Sequence, residues 1–466
     1  MLLFAAKIIA FTLKKQLFYK NILSQFHLNL FDLSLQFNGF PIKKAQQILK
    51  GIQTQSDSEF ERYIEKKKKE IVAYHIQNNN FYKEFLNDEN VSDWNSIPIM
   101  TKRDLQKPLQ ERLSKGYNLK NVYVNKTSGS SGDPFIFAKD YVCHALTWAV
   151  IKNRFGWYGL DFNSSKQARF YGIPLDKTGY YKERFKDLLS SRLRFSVFDL
   201  SDAAFENYLK KFTSTPFDYL NGYTSSIVQF AKFLERKNLI LKAVCPTLKA
   251  CVVTSEMLFV ADKLLMEKQF GIPVINEYGA SELDLIAFQN VENDWIINNE
   301  TLYVEILDSN NRVLPLGEEG RIVITSLYNQ AHPFIRYDIG DIGILSEKST
   351  FKKLILERLI GRTNDMAVLP SGKKAAGLTF YYITKSIIED DGVVKEFIIQ
   401  QTKIDTFKII YVSTNSLSEE KMQEIRNEMT RYLEPNLTVI FERQDALKRS
   451  KSGKLKQFSS VINLPS

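Results

Sequence analysis

ACVVTSEMLFVADKLLMEKQFGIPVINEYGASE, residues 250–282, holds the reading on which the fold turns. A short apolar run with β-branched residues, Ala250–Val253, gives way to a helical stretch, Phe259–Phe270, and then to a second short run, Val274–Asn276. Strand, helix, strand at this spacing predicts a largely parallel sheet with helices on its faces. Toward the amino terminus the alternation recurs: Asn121–Val124, Phe135–Ala138 and Gln167–Tyr171 read as strands, Tyr141–Phe155 and Ser226–Lys237 as helices. Residues 40–120 are helical and polar-rich, with a turn near Ser92–Asn95 and a connection at Ile97–Pro98. Toward the carboxyl terminus, TLYVEILD and RIVITSLY around the turn Ser309–Asn311 read as an antiparallel, hairpin-rich region over 301–328. Residues 354–366 break the pattern, and VKEFIIQQ, FKIIYVST and NLTVIFER supply the strands of a compact α+β unit. Within it, Ser416 and Glu419 read as a capping box opening a helix whose apolar stripe is Met422, Ile425 and Met429. The expected fold class is α/β. A large N-terminal domain, 1–360, has mostly parallel sheets flanked by helices, a helical region at 1–90 and an appended antiparallel β lobe. A small C-terminal α+β domain, 366–466, follows a boundary near Gly361.

Composition narrows the function classes. The chain has 466 residues, 44% of them apolar, with 33 Phe and 22 Tyr, which excludes global disorder. The formal net charge is +10, yet the one dense basic run, Lys66–Lys69, is flanked by Glu61, Glu65 and Glu70. A solvated helix face with i,i+4 pairs accounts for it, so nucleic acid is not an expected partner. Three cysteines (143, 245 and 251) and four histidines (27, 75, 144 and 332) supply neither a disulfide framework nor zinc-ligand spacing. The thiols read as small buried residues in a reducing, cytoplasmic setting. The opening MLLFAAKIIAFTLKKQLFYK is interrupted by Lys7 and falls short of the ~18 apolar residues a membrane span needs. It also lacks the marks of a signal peptide. Its first reading is a helix packed on its own domain. The second is a contact through residues 1–20 with the inner membrane surface.

The chemistry concentrates in five short stretches. Thr127-Ser128-Gly129-Ser130-Ser131-Gly132-Asp133-Pro134 lies between two expected strands. Its small residues let backbone amides and hydroxyls surround phosphate oxygens, although it is not a Walker loop. Asn276-Glu277-Tyr278-Gly279-Ala280-Ser281-Glu282 sets an aromatic ring beside a glycine, a hydroxyl and a carboxylate suited to Mg²⁺. Arg336-Tyr337-Asp338-Ile339-Gly340-Asp341, Gly361-Arg362-Thr363-Asn364-Asp365 and Ser452-Gly453-Lys454 follow. An aspartate can accept two ribose hydroxyls, and Arg362 can reinforce a sugar or phosphate contact. Tyr171, Tyr223 and Thr254-Ser255-Glu256 read equally as pocket walls or as core.

In this order the motifs resemble the adenylate-forming superfamily of acyl- and aryl-CoA synthetases. Within it they are most similar to the phenylacetate–CoA ligase branch and its CapK-type relatives of capsular polysaccharide biosynthesis. FDYLNGYTSSIVQFAKFLE, LKACVVTSEML and LYVEILDSNNRVLPLGEEGRIVITSL agree, and the resemblance runs from about residue 90 to about 458. It implies ATP-dependent activation of a small carboxylic acid to an acyl-adenylate, with ATP and Mg²⁺ required and CoA or another nucleophile as acceptor. Thr127, Ser128, Gly129, Ser130, Ser131 and Gly132 would hold the β- and γ-phosphates. Tyr278 beside Gly279 would stack on adenine, Asn276 would reach the adenine amine, and Ser281 the α-phosphate. Glu282 would hold Mg²⁺, and Asp341 the ribose, with Arg362 nearby. Residues 361–365 would form a hinge at Asp365, and Lys454 would be the catalytic lysine.

The stretch MAVLPSGKKAAGLTF after the hinge departs from the glycine-rich segment that CoA-using members resemble one another in, and is closer to the CapK-type branch. The alternative within the same chemistry passes the activated acyl or aminoacyl group to a sugar. The alternative of another class is a non-catalytic nucleotide-binding or membrane-docked scaffold.

Overall fold

Five parallel strands form the middle of the structure, a computed structural model. It describes residues 29–87, 91, 93–127, 135–172, 187, 191–362, 366–372, 374–376, 394–449 and 455–462. In spatial order the strands are Arg192–Phe195, Gln167–Phe170, Tyr219–Tyr223, Ala250–Thr254 and Val274–Ala280. The antiparallel strands Asp284–Gln289 and Trp295–Ile297 extend the sheet. Tyr219–Tyr223 and Ala250–Thr254 are buried at every position, as strands covered on both faces must be. Helices Thr224–Arg236 and Val260–Phe270 belong to the crossovers, and Tyr141–Gly156 packs with the strands Tyr219, Ala250 and Val252 belong to. Much of the phenylalanine lies in one cluster against the sheet, where Phe230 meets Phe170, Phe205 and Phe212 at 5.6–5.7 Å between ring centroids. A Cβ on Gly222 would lie 2.4 Å from the Phe170 carbonyl oxygen, so only glycine permits that strand spacing.

Two expectations need correction here. The strands around the Ser/Gly segment do not join the parallel sheet: Tyr123–Lys126 and Ile136–Lys139 pair with each other, antiparallel, from Tyr123↔Lys139 to Lys126↔Ile136. The connection is too short for the crossover that parallel pairing requires. Residues 356–362 do not break the antiparallel region but complete it. Leu302–Leu307, Glu319–Ser326, Tyr337–Leu345 and Leu356–Arg362 form an antiparallel sheet in that order. The aspartate and arginine motifs thereby become neighbours, with Asp341 opposite Arg362 and Ile342 opposite Gly361.

The carboxyl-terminal residues build a sheet ordered Thr438–Gln444, Thr406–Ser413, Val394–Lys403 and Phe458–Ser460, covered by helix Glu419–Tyr432. Ile425 and Met429 are fully buried and Met422 packs beside them, as the stripe predicts. The cap is Ser418, not Ser416: its Oγ accepts the Lys421 N–H, while Leu417 is buried and gives its N–H to the Tyr411 hydroxyl. That anchorage keeps 416–417 on the sheet and delays the helix.

Lys66 and Lys67 pair with Glu70 at 3.7 and 2.8 Å, as expected of a solvated face. Lys68 departs from it, being buried over the rings of Trp94 and Tyr303 at 4.5 and 4.3 Å while bonded to Glu65. The three cysteines are buried. No helix among the described residues is long and apolar enough to cross a membrane, and residues 1–20 lie outside the described residues.

His75, fully buried, sets a pH dependence. Its Nε2 faces the Asn329 carbonyl at 2.9 Å and its Nδ1 the Ser114 hydroxyl at 3.3 Å, which a neutral ring donating through Nε2 satisfies. Burial pushes it down to about 4. Between that value and the ordinary one near 6.5 the unfolded chain binds a proton that the native chain refuses. Stability is therefore full above about pH 6.5 and falls by about 3 kcal/mol as the pH drops toward 4. Urea unfolding at pH 7 and pH 5 is expected to show about 2 kcal/mol of this loss, and a His75→Gln variant to show a flatter profile.

Candidate active site

The strand Val274–Ala280 carries three of the singled-out residues to the edge of a cleft of about 490 Å³. Asn276, Tyr278 and Gly279 line it from the parallel sheet, Asp341 and Gly361 from the antiparallel sheet. The opposing wall is the chain's tail, residues 455–459, with Lys448 and Arg449. Stretches far apart in the sequence thus share one space. The strand can bend here because a Cβ on Gly279 would lie 2.4 Å from the Asp284 carbonyl oxygen, and the register shifts between Tyr278 and Gly279. Tyr278 donates its hydroxyl to Asp341 Oδ2 at 2.6 Å and meets Trp295 edge-on, centroids 6.0 Å apart. The Asn276 side-chain amide has no hydrogen-bond partner among the described residues, and its backbone N–H goes to Gln289 Oε1. Burial pushes the neighbouring Glu277 carboxyl up, against a hydrogen bond from Thr254 and the charge of Arg169.

Glu282 does not line this cleft. It is buried beside a separate cavity of about 20 Å³, room for one water, that Lys139, Thr147 and Asp284 also line. Its Oε1 accepts the Tyr337 hydroxyl at 3.1 Å. Lys139 is ion-paired with Asp284, whose Oδ2 also accepts the Thr147 hydroxyl at 2.6 Å. Among the described residues no cluster of three or more His, Cys, Asp or Glu could hold a metal by itself. A buried carboxylate whose donor among the described residues is one neutral hydroxyl nevertheless fits Mg²⁺, which is commonly bound by one or two carboxylates plus phosphate oxygens. Ser281, next to it, is exposed.

Thr127 and Phe135 close the stem of the Ser/Gly segment through two hydrogen bonds. The Thr127 N–H donates to the Phe135 carbonyl at 3.0 Å, and the Phe135 N–H to Thr127 Oγ1 at 3.1 Å. Phe135 belongs to the same apolar cluster as Tyr278 and Tyr337, so the stem is packed into the walls that carry the other motifs. Ser128, Gly129, Ser130, Ser131, Gly132, Asp365 and Lys454 lie outside the described residues, and Arg362 is described in its backbone alone. Tyr171 and Tyr223 pack ring to ring at 4.6 Å and do not line the cleft, whereas Ser255 and Glu256 do.

Sequence reasoning missed Trp295, the Lys139–Asp284–Thr147 group and the Arg449–Glu396 ion pair. Arg449 lies in a tail that also carries Lys448, Lys451 and Lys456, so nothing in the sequence set it apart, and nothing local to Glu396 signalled a partner more than fifty residues on.

No family model matches the chain. It is 26% identical over 414 residues to protein CapK of Staphylococcus aureus, covering 86% of this chain and 87% of that protein. It is 30% identical over 128 residues to the phenylacetate-coenzyme A ligase of Aromatoleum evansii, 26% of this chain and 29% of that protein. Among solved structures, 2-hydroxyisobutyryl-CoA ligase in its postadenylation state aligns with a TM-score of 0.67 at 15% identity, over 88% of this chain and 91% of that one. Another similar structure is the anthranilate CoA ligase AuaEII, with a TM-score of 0.51 at 15% identity over 71% of this chain and 65% of that one. The chain therefore has the fold of the adenylate-forming CoA ligases, and it resembles in sequence the CapK-type and phenylacetate–CoA ligase branch of that superfamily.

Proposed function

We propose that this protein is an ATP-dependent, AMP-forming ligase. It joins a small carboxylic acid to the α-phosphorus of ATP, releases pyrophosphate, and passes the acyl group from the acyl-adenylate to an acceptor. The observation that carries the proposal is the single cleft shared by Asn276, Tyr278 and Gly279, by Asp341 and Gly361, and by the tail that follows Lys454. A crevice at the carboxyl ends of parallel strands is where open α/β sheets bind ligands.

In this reading the Asn276 amide meets the adenine, Tyr278 lies against the base, and Asp341 takes the ribose hydroxyls, with Arg362 on the adjoining strand. Tyr278 holds the Asp341 carboxylate in place through its hydroxyl. Ser281 serves the α-phosphate, and Thr127 to Gly132 the β- and γ-phosphates. Glu282 would hold Mg²⁺, oriented by Tyr337; when bound, the ion neutralises phosphate charge. Lys454 supplies an ammonium where acid and α-phosphate, both anions, must meet. Residues 1–360 and 366–466 act as two domains about a hinge at 361–365 and Asp365. Closure excludes the water that would destroy a mixed anhydride.

The acceptor is CoA or another nucleophile. A second reading, in which the activated group passes to a sugar, is favoured by the extent of the CapK match, more than three times that of the phenylacetate–CoA ligase match. ATP–pyrophosphate exchange against a panel of aromatic, acyl and amino acids, with and without CoA, tests both. Exchange with at least one acid is expected. Nucleotide binding with no exchange for any acid would instead favour a non-catalytic scaffold.

A further inference from the structure

Ser255 and Glu256 follow the end of strand Ala250–Thr254, outside the nucleotide-binding motifs. Ser255 has φ +71°, a left-handed conformation that costs a non-glycine residue free energy and persists where the surroundings hold it. Directly after this turn, Glu256 meets two separate elements. One carboxylate oxygen accepts the Ser225 N–H at 2.7 Å, a donor in the first turn of helix Thr224–Arg236 that has no partner within the helix. The other accepts the Leu455 N–H at 2.9 Å. That N–H belongs to the planar peptide unit joining Leu455 to Lys454.

Neighbouring contacts hold the same junction. Leu455 is buried with Ile410 and Leu447. Arg449 donates to the Ser225 hydroxyl at 3.3 Å and is ion-paired with Glu396 on the carboxyl-terminal sheet. Gln229, one turn further along the helix, donates to the Lys395 carbonyl. Among these, Glu256 alone bonds the Leu455 N–H, and it does so with a charged acceptor, roughly twice as strong as a neutral one.

We infer that Glu256 is a positioning residue for the adenylating step, its carboxylate clamping the Leu455 N–H, directly after Lys454 in the chain, to the edge of the parallel sheet. The inference rests on the adenylating reading for what Lys454 does, but not for where the tail is held. An ammonium on a long, flexible stem is effective only when its backbone is fixed.

The test uses the full chain and two variants, Glu256→Ala and the isosteric Glu256→Gln, which cannot accept from both N–H groups with its carbonyl and amide ends. Mass-spectrometric hydrogen exchange without nucleotide is read over 455–460 and over 224–236. Exchange at 455–460 is expected to rise about 10- to 100-fold in Glu256→Ala and less in Glu256→Gln. Pyrophosphate-exchange turnover should fall at least about tenfold, with ATP affinity within about twofold of wild type. Unchanged exchange at 455–460, or faster exchange confined to 224–236, would reduce Glu256 to a helix cap and overturn the inference. Faster tail exchange with unchanged turnover would overturn it as well. If the wild type activates no acid, the adenylating reading fails, while the hydrogen-exchange arm still decides whether Glu256 holds the tail.

Discussion

Replacing Lys454 by alanine is expected to lower ATP–pyrophosphate exchange by about 10²–10³-fold while ATP affinity changes little. The asymmetry follows from where charge develops. The adenine, the ribose and the outer phosphates are assigned to Asn276, Tyr278, Asp341 and the Ser/Gly segment, all distant in sequence from the tail. Those contacts are as strong in the ground state as during reaction, so they govern affinity. In the proposed function the lysine would act where a carboxylate approaches an anionic α-phosphate, so removing its ammonium should raise the barrier selectively. Lys454→Arg is not expected to restore activity, because a planar guanidinium cannot replace a compact ammonium at a shared point between two oxygens. Nucleotide affinity by calorimetry and exchange at saturating ATP separate the two effects. Undiminished exchange in Lys454→Ala would remove the tail from the chemistry.

Three of the five parallel strands were legible, Gln167–Phe170, Ala250–Thr254 and Val274–Ala280, the last two because β-branched runs flank a helix; Arg192–Phe195 and Tyr219–Tyr223 carry no β-branched residue and were not read. The run 250–276 needed only local periodicity to be placed. The antiparallel pairing of Tyr123–Lys126 with Ile136–Lys139 was not read, because two four-residue strands look alike whether they join a large sheet or each other. Connection length was the available signal. At the site, Asn276, Tyr278, Gly279 and Asp341 line one cleft. Glu282 sits apart beside Lys139 and Asp284, because a strand bend at Gly279 intervenes between Tyr278 and Glu282. Contacts such as Glu256 with Leu455 span two hundred residues and have no local signature. Arg336 exemplifies a different limit: it reads as part of a nucleotide motif, yet its side chain points into the protein.

Glu305→Ala is expected to destabilise the protein by about 3–5 kcal/mol, a large fraction of the ~5–15 kcal/mol that holds a typical domain folded. Arg336 and Glu305 are both buried, 3.3 Å apart. Arg336 also donates to the backbone carbonyls of Asn95 and Ile97 at 2.9 Å and holds φ +44°, so one side chain fastens the turn at 94–97 to the sheet edge. Burial pushes the Glu305 carboxyl up while the Arg336 charge opposes it. Removing Glu305 leaves a guanidinium that can neither reach water nor lose its proton, and that uncompensated charge, rather than the lost attraction, dominates the cost. Glu305→Gln keeps a polar partner and should lose less. Replacing both residues by apolar ones should recover part of the loss, but not all, because the carbonyls at 95 and 97 lose their donor. Urea unfolding of the four proteins orders these terms, and equal stability of Glu305→Ala and wild type would refute the account. The effect should reach the site, since Tyr337, the next residue, holds Glu282 and the same strand carries Asp341. A destabilised Arg336 is therefore expected to weaken nucleotide binding even under conditions where the chain stays folded.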